Sequence, residues 1–78
     1  MAEDFPYPKF KGSILKQARI ASGLSRYRLG KAARVSPMSV FNWETGKMVP
    51  SANNLIKMAR CLDTNVLSFF EKDDDAEG

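Results

Sequence analysis

The most constraining stretch of this chain is residues 24–50, where the sequence predicts two short helices with a tight connection between them. Ser25 is a residue type that caps helix N-termini, because its hydroxyl oxygen can accept a hydrogen bond from an exposed amide of the first turn. Apolar residues then recur at helical spacing, which predicts a helix over approximately residues 25–33: Leu29, Ala32 and Ala33. Ser36 followed by Pro37 predicts a second helix start, because proline lacks an amide that would be unpaired there anyway.

The second of these helices is predicted to run from Pro37 to Thr45 and to stop at Gly46, because glycine best adopts the left-handed conformation that follows a helix end. Arg34 and Val35 interrupt the apolar pattern between the two helices. Two short helices joined by about three residues form a helix-turn-helix.

The outward face of the helix 37–45 carries almost no charge. With residues placed about 100° apart, Val40, Trp43 and Glu44 lie on the inward side. The other side and its flanks hold the remaining residues: Pro37, Met38, Ser39, Phe41, Asn42 and Thr45. This face is either ordinary surface, since isolated exposed apolar residues are common, or a surface that enters a DNA groove. In a groove, asparagine can pair with adenine and apolar side chains can contact thymine methyl groups.

Length and composition limit the chain to one small domain. Its 78 residues, 44% hydrophobic and 27% charged, are typical of a soluble globular domain. No apolar run approaches the roughly 20 residues that span a bilayer, and the acidic start of the chain is unlike a secretory signal. Cys61 is the single cysteine, which excludes disulfides and cysteine-based metal sites and fits a reducing cytoplasm. The chain contains no histidine.

Positive charge is concentrated in the centre of the chain. Residues 9–60 contain eleven lysines and arginines and one acid, Glu44, whereas residues 61–78 carry one lysine and six acids. Such a distribution indicates that the central domain binds a polyanion. The alternative is a solvated basic surface without a partner.

Three segments follow from the order of patterns along the chain. Residues 1–12, with two prolines, are predicted to be an extended N-terminal arm that packs on the domain or enters a minor groove. Residues 13–71 form the domain, and residues 72–78 are predicted to be a disordered acidic tail. Outside the helix-turn-helix, further helices are predicted from Gly12 or Ser13 to Ser22, over residues 52–62 and over residues 66–71. Their expected buried residues are Ile14, Leu15, Ala18, Ala21, Leu55, Met58, Ala59, Leu62, Leu67 and Phe70.

Five short helices in this order resemble the lambda-repressor/Cro-like (XRE-like) helix-turn-helix DNA-binding family, over roughly residues 13–70. The carriers are Leu15, Arg19, Gly23–Ser25, Leu29, Val35–Ser36, Val40, the run Trp43–Lys47 and Pro50. The resemblance implies a compact all-α domain in which the helix 37–45 lies in the major groove. It also implies an ion pair between Arg19 and Glu44 that ties the first helix to the third and is structural.

The resemblance assigns DNA-binding roles to particular residues. Base edges would be contacted from the recognition helix by Pro37, Met38, Phe41 and Asn42. Phosphates and the flanking backbone would be contacted by Arg26, Lys31, Ser36, Ser39 and Lys47. Two departures from the family pattern affect these roles: Arg26 stands where glutamine is usual, and Pro37 with Met38 stand where glutamine or arginine is frequent. Few side chains of this helix could therefore read bases by hydrogen bonding, and DNA shape is expected to contribute more to sequence specificity.

A third departure from the family pattern lies in the turn. Arg34 occupies the turn position that is usually glycine. If that position needs a left-handed backbone, the arginine costs about 1–2 kcal/mol there.

The leading hypothesis is a sequence-specific double-stranded DNA-binding transcriptional regulator, a repressor, that acts as a homodimer on a palindromic operator with half-sites about 10 bp apart. Val66 and Phe69 are candidates for the dimer interface, or Phe69 covers the core. The alternative is a protein-interaction module of the same fold, such as an antitoxin or adaptor, for which exposed Met38 and Phe41 would also suit. An enzyme is rejected, because the predicted domain lacks a histidine, an acid cluster, a phosphate loop and metal-ligand spacing. No cofactor, metal, small-molecule ligand or membrane partner is predicted.

Overall fold

The computed structural model describes residues 8–71. Within them the elements are β1 (Lys9–Phe10), α1 (Gly12–Ala21), α2 (Arg26–Ala33), α3 (Pro37–Glu44), α4 (Ala52–Cys61), a 3-10 helix (Val66–Phe69) and β2 (Phe70–Glu71). The fold is all-α, as predicted, and the helix-turn-helix is α2 and α3. The first part of the predicted arm, residues 1–7, and the predicted tail, residues 72–78, lie outside the described residues.

Three of the four α-helices in residues 8–71 are capped at the N-terminus by a serine hydroxyl. Ser25, Ser36 and Ser51 each accept a hydrogen bond from the backbone amide three residues later, at 3.0, 3.0 and 3.1 Å. Gly46 follows the C-terminus of α3 with a φ of 83°, a left-handed conformation that glycine adopts without steric cost. The helix boundaries therefore follow from local residue chemistry and lie within one residue of the predicted ones.

The predicted fifth helix begins at Val66 as expected, but it is a 3-10 helix and ends at Phe69 rather than at residue 71. The side chain of Asn65 accepts from the amide of Leu67 at 2.8 Å, and the chain makes one 3-10 turn. The amide of Lys11 then donates to the carbonyl of Phe69 at 2.9 Å, so that β2 continues extended. β2 pairs antiparallel with β1, Phe10 opposite Phe70, and the two rings meet edge to face with centroids 5.9 Å apart. Strands of two residues are too short to show an alternating sequence pattern.

The core lies between the four α-helices and the 3-10 helix. Its fully or almost fully buried hydrophobic residues are Leu15, Leu29, Ala33, Val40, Trp43, Leu55, Met58, Ala59, Leu62 and Phe69. Ile14, Ala18, Cys61 and Phe70 pack against it while partly exposed. No helix in the described residues is both long enough and apolar enough to cross a membrane.

Three residues expected on buried faces are exposed. Ala21 lies about 120° around α1 from Leu15, outside the narrow buried arc of that helix. Ala32 lies outside the arc that α2 buries, which contains Leu29, Gly30 and Ala33. Leu67 is 70% exposed, because in the 3-10 turn it is Phe69 that enters the core.

The turn between α2 and α3 does have a left-handed residue. Arg34 has φ 61° and ψ 47°, and the amide of Val35 donates to the carbonyl of Gly30 at 2.9 Å. The turn is also tight: a Cβ atom on Gly30 would lie 2.6 Å from the carbonyl oxygen of Val35. The angle between the two helices therefore depends on a strained residue and on a glycine inside α2.

Replacing Arg34 with glycine is expected to raise the free energy of unfolding by about 0.5–1 kcal/mol. The relieved left-handed strain of about 1–2 kcal/mol exceeds the extra backbone entropy that glycine loses on folding. Urea unfolding measures the change. Arg34→Ala is the matched control, because it removes the same charge but keeps a Cβ atom in the left-handed conformation; equal stabilisation by both variants would show that charge, not strain, is responsible.

Candidate nucleic-acid interface

Helix α3 is held on its inward side and open on its outward side. Val40, Trp43 and Glu44 are buried, as predicted, with α2 and α1 packed against the helix. On the outward side Met38 is 62% exposed, and Pro37 and Thr45 are exposed as well. The remaining residues of this face, Ser39, Phe41 and Asn42, are half-buried. The uncharged face predicted from the sequence is therefore present, but only part of it projects freely into solvent.

A buried ion pair fixes α3 to α1. Arg19 Nε donates to Glu44 Oε2 at 2.6 Å and Arg19 Nη2 donates to Glu44 Oε1 at 3.2 Å, so the guanidinium grips both oxygens. Arg19 Nη1 also donates to the carbonyl of Leu24 at 2.8 Å, two residues before the start of α2. The side chain of Glu44 is fully buried and that of Arg19 nearly so. This pair joins α1, α3 and the entry to α2 at one point.

Glu44 also holds a second arginine. Arg26, the first residue of α2, donates from Nε to Glu44 Oε1 at 2.9 Å, and 34% of its side chain remains exposed. A guanidinium carries five N–H donors in a planar fork, and this bond uses one of them. Arg26 is thus anchored to α3 while part of it faces solvent.

Phe41 lies within reach of two cations. The guanidinium carbon of Arg26 is 5.2 Å from the centroid of the ring, and Lys47 Nζ is 5.5 Å from it. Both distances are within the range of a cation–π attraction. The sequence analysis missed this cluster, because Arg26 is fifteen residues from Phe41 and the path of the loop to Lys47 is not set by helical spacing.

The first turn of α3 brings Ser36 and Ser39 together. Ser36 Oγ accepts from the amide of Ser39 at 3.0 Å and donates to Ser39 Oγ at 2.9 Å. The hydroxyl hydrogen of Ser36 is therefore engaged inside the cap. The Ser39 hydroxyl is the acceptor in that bond, which leaves its own hydrogen to point elsewhere.

Asn42 lies at the other end of the helix, beside the loop that follows. Its carbonyl oxygen accepts from the amides of Lys47 and Met48, at 2.9 and 3.1 Å. Its side-chain Nδ2 is 4.0 Å from the sulfur of Met48, which is a weak acceptor. The backbone bonds fix the loop against α3, whereas the side-chain contact is one that a stronger acceptor can replace.

Lys31 is exposed in the last turn of α2 and contacts Tyr27 rather than α3. Its Nζ lies 5.6 Å from the centroid of the Tyr27 ring. The two residues line a shallow groove on the outer side of α2, together with Leu24, Arg28 and Ala32. The predicted DNA-binding residues thus fall into a cluster around Phe41, a serine pair, the exposed Pro37 and Met38, the loop-bound Asn42, and Lys31 on its own helix.

The electrostatic character of the domain is strongly positive. Among residues 8–71 the acids are Glu44, Asp63 and Glu71, against eleven lysines and arginines. Glu44 is buried beneath two arginines and shows no charge to solvent. In the same part of the chain no three His, Cys, Asp or Glu residues come together as a metal site would require. The chemistry available at this surface is recognition of an anion.

Four α-helices, with α2 and α3 joined by a tight turn and α3 tied to α1 by a buried ion pair, define a lambda-repressor-like helix-turn-helix domain. The chain belongs to the Helix-turn-helix family, whose model matches residues 15–69. The resemblance read from the sequence is therefore confirmed.

Known proteins similar to this chain include a Methanocaldococcus jannaschii protein named as an HTH-type transcriptional regulatory protein, 31% identical over 74 residues. The match covers 91% of this chain, which spans only 23% of that protein. The structure of the restriction-modification controller protein C.AhdI from Aeromonas hydrophila is 30% identical, with a TM-score of 0.73, covering 76% of this chain and 89% of the other. SinR, a master regulator for biofilm formation solved in complex with DNA, is 30% identical with a TM-score of 0.67, covering 70% of this chain and 89% of the other.

Proposed function

We propose that this chain is a sequence-specific double-stranded DNA-binding transcriptional regulator, acting as a repressor, in which α3 reads the major groove. The observation that carries the proposal is the arrangement around α3: an outward face without charged residues, beside which Arg26 and Lys47 present positive charge. Phosphates attract such cations without regard to sequence, whereas an uncharged helix face can approach base edges. The similarity to SinR, solved with DNA, supports the same conclusion.

Residue roles follow from exposure and existing bonds. Met38 and Pro37 are the exposed apolar residues that contact base edges and thymine methyl groups. Asn42 gives up its weak contact with Met48 and pairs with adenine, which is worth roughly 1–3 kcal/mol of discrimination. The phosphate contacts come from the cations Arg26 and Lys47 beside α3, from Lys31 on α2, and from the hydroxyl hydrogen of Ser39. Ser36 lies close to the same phosphate, with its own hydroxyl hydrogen bonded to Ser39.

The proposed complex is a symmetric dimer on a palindromic operator, since one such domain covers one half-site. Phe69 is fully buried and belongs to the core, which leaves the neighbouring surface for the interface. Val66 is half-buried and Leu67 is 70% exposed on that surface. The proposed role is regulatory and not enzymatic. A protein with this role acts in the cytoplasm, where the DNA that it regulates lies.

A protein-binding role of the same fold is the competing function, and one observation favours it. The groove of Leu24, Tyr27, Arg28, Lys31 and Ala32 has a largely apolar lining, which suits a protein side chain better than a phosphate. The two functions differ in their response to salt, because phosphate neutralisation releases counterions and burial of apolar surface does not.

Selection of random duplex oligonucleotides with the purified chain, followed by a salt titration on the selected site, tests the proposal. We expect a palindrome with half-sites about 10 bp apart. If Arg26, Lys31 and Lys47 of both protomers each neutralise one phosphate, the slope of log affinity against log salt is about −5. No enriched sequence together with a slope near zero would contradict the proposal and favour a protein partner.

A further inference from the structure

Phe41 touches both of the cations that flank the recognition helix. The Arg26 guanidinium lies 5.2 Å from the ring centroid and the Lys47 ammonium 5.5 Å. The two cations belong to different elements, since Arg26 begins α2 and Lys47 lies in the loop after α3. One aromatic ring on α3 therefore contacts two long side chains from different elements and lowers the rotamer freedom that each of them retains.

Other bonds bring the same two residues to α3. Arg26 is held by Glu44, three residues along the helix from Phe41, at 2.9 Å. The backbone of Lys47 is held by the carbonyl of Asn42, the residue next to Phe41, at 2.9 Å. The bond to Glu44 fixes the middle of the Arg26 side chain, and the bond to Asn42 fixes the backbone of Lys47. The backbone bond does not fix the position of the Lys47 ammonium group, and the ring supplies an attraction there.

We propose that Phe41 is a positioning residue, whose ring holds the charges of Arg26 and Lys47 in place for two phosphates of the DNA backbone, rather than a residue that reads a base. This inference rests on the proposed function. A cation that is already ordered loses less conformational entropy when it binds, so the ring raises affinity for any duplex. It does not alter the preference for one sequence over another, since phosphate contacts carry no sequence information.

Phe41 and Met38, two apolar residues of the same helix, differ in their exposure and in their neighbours. Met38 is 62% exposed, whereas Phe41 is half-buried with two cations near its ring. For Phe41 to contact a thymine methyl group, its ring would have to lie between that base and the side chains of Arg26 and Lys47. The favourable face of an aromatic ring attracts cations, and here cations already lie near it.

The test compares Phe41→Leu with Phe41→Tyr in the full chain. Leucine keeps an apolar side chain but has no aromatic ring, while tyrosine keeps the ring. Phe41→Leu is expected to weaken binding about tenfold, both to the selected operator and to an unrelated duplex of the same length. The operator-to-unrelated affinity ratio stays within about twofold, and the salt slope is unchanged because the charges remain. Phe41→Tyr is expected to bind within about twofold of the parent.

Two results that differ from these expected affinities would overturn the proposal. Loss of operator affinity alone, with unrelated DNA unaffected, would show that Phe41 reads bases and would overturn the proposal. Tighter binding by Phe41→Leu would overturn it too, because the ring would then hold the cations away from the phosphates.

A second background shows whether the ring acts through the lysine. Lys47→Gln removes one cation from each protomer, so the salt slope of a dimer should become shallower by about 2. In that background the effect of Phe41→Leu is expected to shrink from about tenfold to about threefold, because one of the two positioned cations is gone. A full tenfold effect there would contradict a role through Lys47.

An NMR measurement on the free protein separates this inference from the proposed function. Protons over an aromatic face shift upfield, so the ε-methylene protons of Lys47 should be upfield in the parent and in Phe41→Tyr but not in Phe41→Leu. Their absence from the upfield region in the parent would overturn the inference, whatever the DNA affinity. A parent with the shift but no affinity for any duplex would instead defeat the proposed function, and with it the phosphate role of the cluster.

Discussion

Replacing Arg19 with alanine is expected to lower the free energy of unfolding by about 3 kcal/mol. Removing one partner of a buried ion pair leaves the other charge without compensation in a medium that solvates it poorly, which costs about 3–5 kcal/mol. Glu44 is fully buried, and Arg19 supplies bonds to both of its oxygens. The expected loss lies at the lower end of that range because Arg26 still donates to Glu44 Oε1 at 2.9 Å.

Three variants sharpen the measurement, which is urea unfolding followed by circular dichroism. Arg28→Ala removes an exposed arginine of α2 and should change stability by less than about 0.5 kcal/mol. Arg19→Lys keeps the charge but loses the planar fork, so an intermediate loss is expected. Arg26→Ala alone should cost less than Arg19→Ala, because 34% of its side chain is exposed.

Arg19→Ala should also leave the preferred operator unchanged among molecules that remain folded, because Arg19 is buried behind α3. A variant that is as stable as the parent but selects a different DNA sequence would show that the pair serves recognition and not the fold.

The positions of the helices were predictable because each start depends on neighbouring residues alone. Ser36 illustrates this: its hydroxyl meets an amide only three residues away, so the sequence carries the whole interaction. The same holds for Ser25 and Ser51. Gly46 likewise ends α3 through a conformation that its own lack of a Cβ atom permits.

The fifth helix was predicted at the right place but two residues too long, because a distant segment decides where it ends. Residues 66–71 have the apolar spacing of a short helix, but the amide of Lys11 and the strand Lys9–Phe10 bind the end of that segment. Pairing with residues about sixty positions earlier outweighs the local preference for continuing a helix of four residues. The same pairing places Phe69 in the core and leaves Leu67 exposed.

Two glycines have roles that no sequence pattern reveals. A Cβ atom on Gly12 would lie 2.1 Å from the carbonyl oxygen of Trp43, so the start of α1 can touch the end of α3 only with glycine there. Gly30, inside α2, has the same relation to Val35 at 2.6 Å. Helix propensity alone counts glycine as unfavourable at such positions. The requirement appears only when the packed helices are present.

Some features of the candidate site were predictable from the sequence, and others depend on how the helices pack. The uncharged outward face of α3 was predictable, because helical spacing determines it. The ion pair of Arg19 with Glu44 came from the resemblance to a family, since no rule of spacing connects residues 25 positions apart. The sharing of Glu44 with Arg26 and the contacts of Phe41 were not predicted, because both depend on how α2 crosses α3.

Replacing Phe69 with alanine is expected to lower the free energy of unfolding by about 4 kcal/mol, the largest effect proposed for this chain. Truncating a buried phenylalanine loses its transfer free energy and leaves a cavity, at a cost of about 3–5 kcal/mol. Phe69 is fully buried, and its carbonyl accepts from the amide of Lys11 at 2.9 Å, so the backbone cannot readily move to fill the space. In a domain of this size such a loss approaches the whole stability.

The neighbouring leucine distinguishes a core role for Phe69 from an interface role. Leu67→Ala, at a position 70% exposed, should change the stability of the monomer by less than about 0.5 kcal/mol. If Leu67 lies in the proposed dimer interface, its loss appears only as weaker association, in sedimentation at rising protein concentration, because association stabilises by mass action. A Phe69→Ala variant that unfolds like the parent at low concentration but no longer dimerises would contradict the core assignment, since a core truncation destabilises the monomer at every concentration.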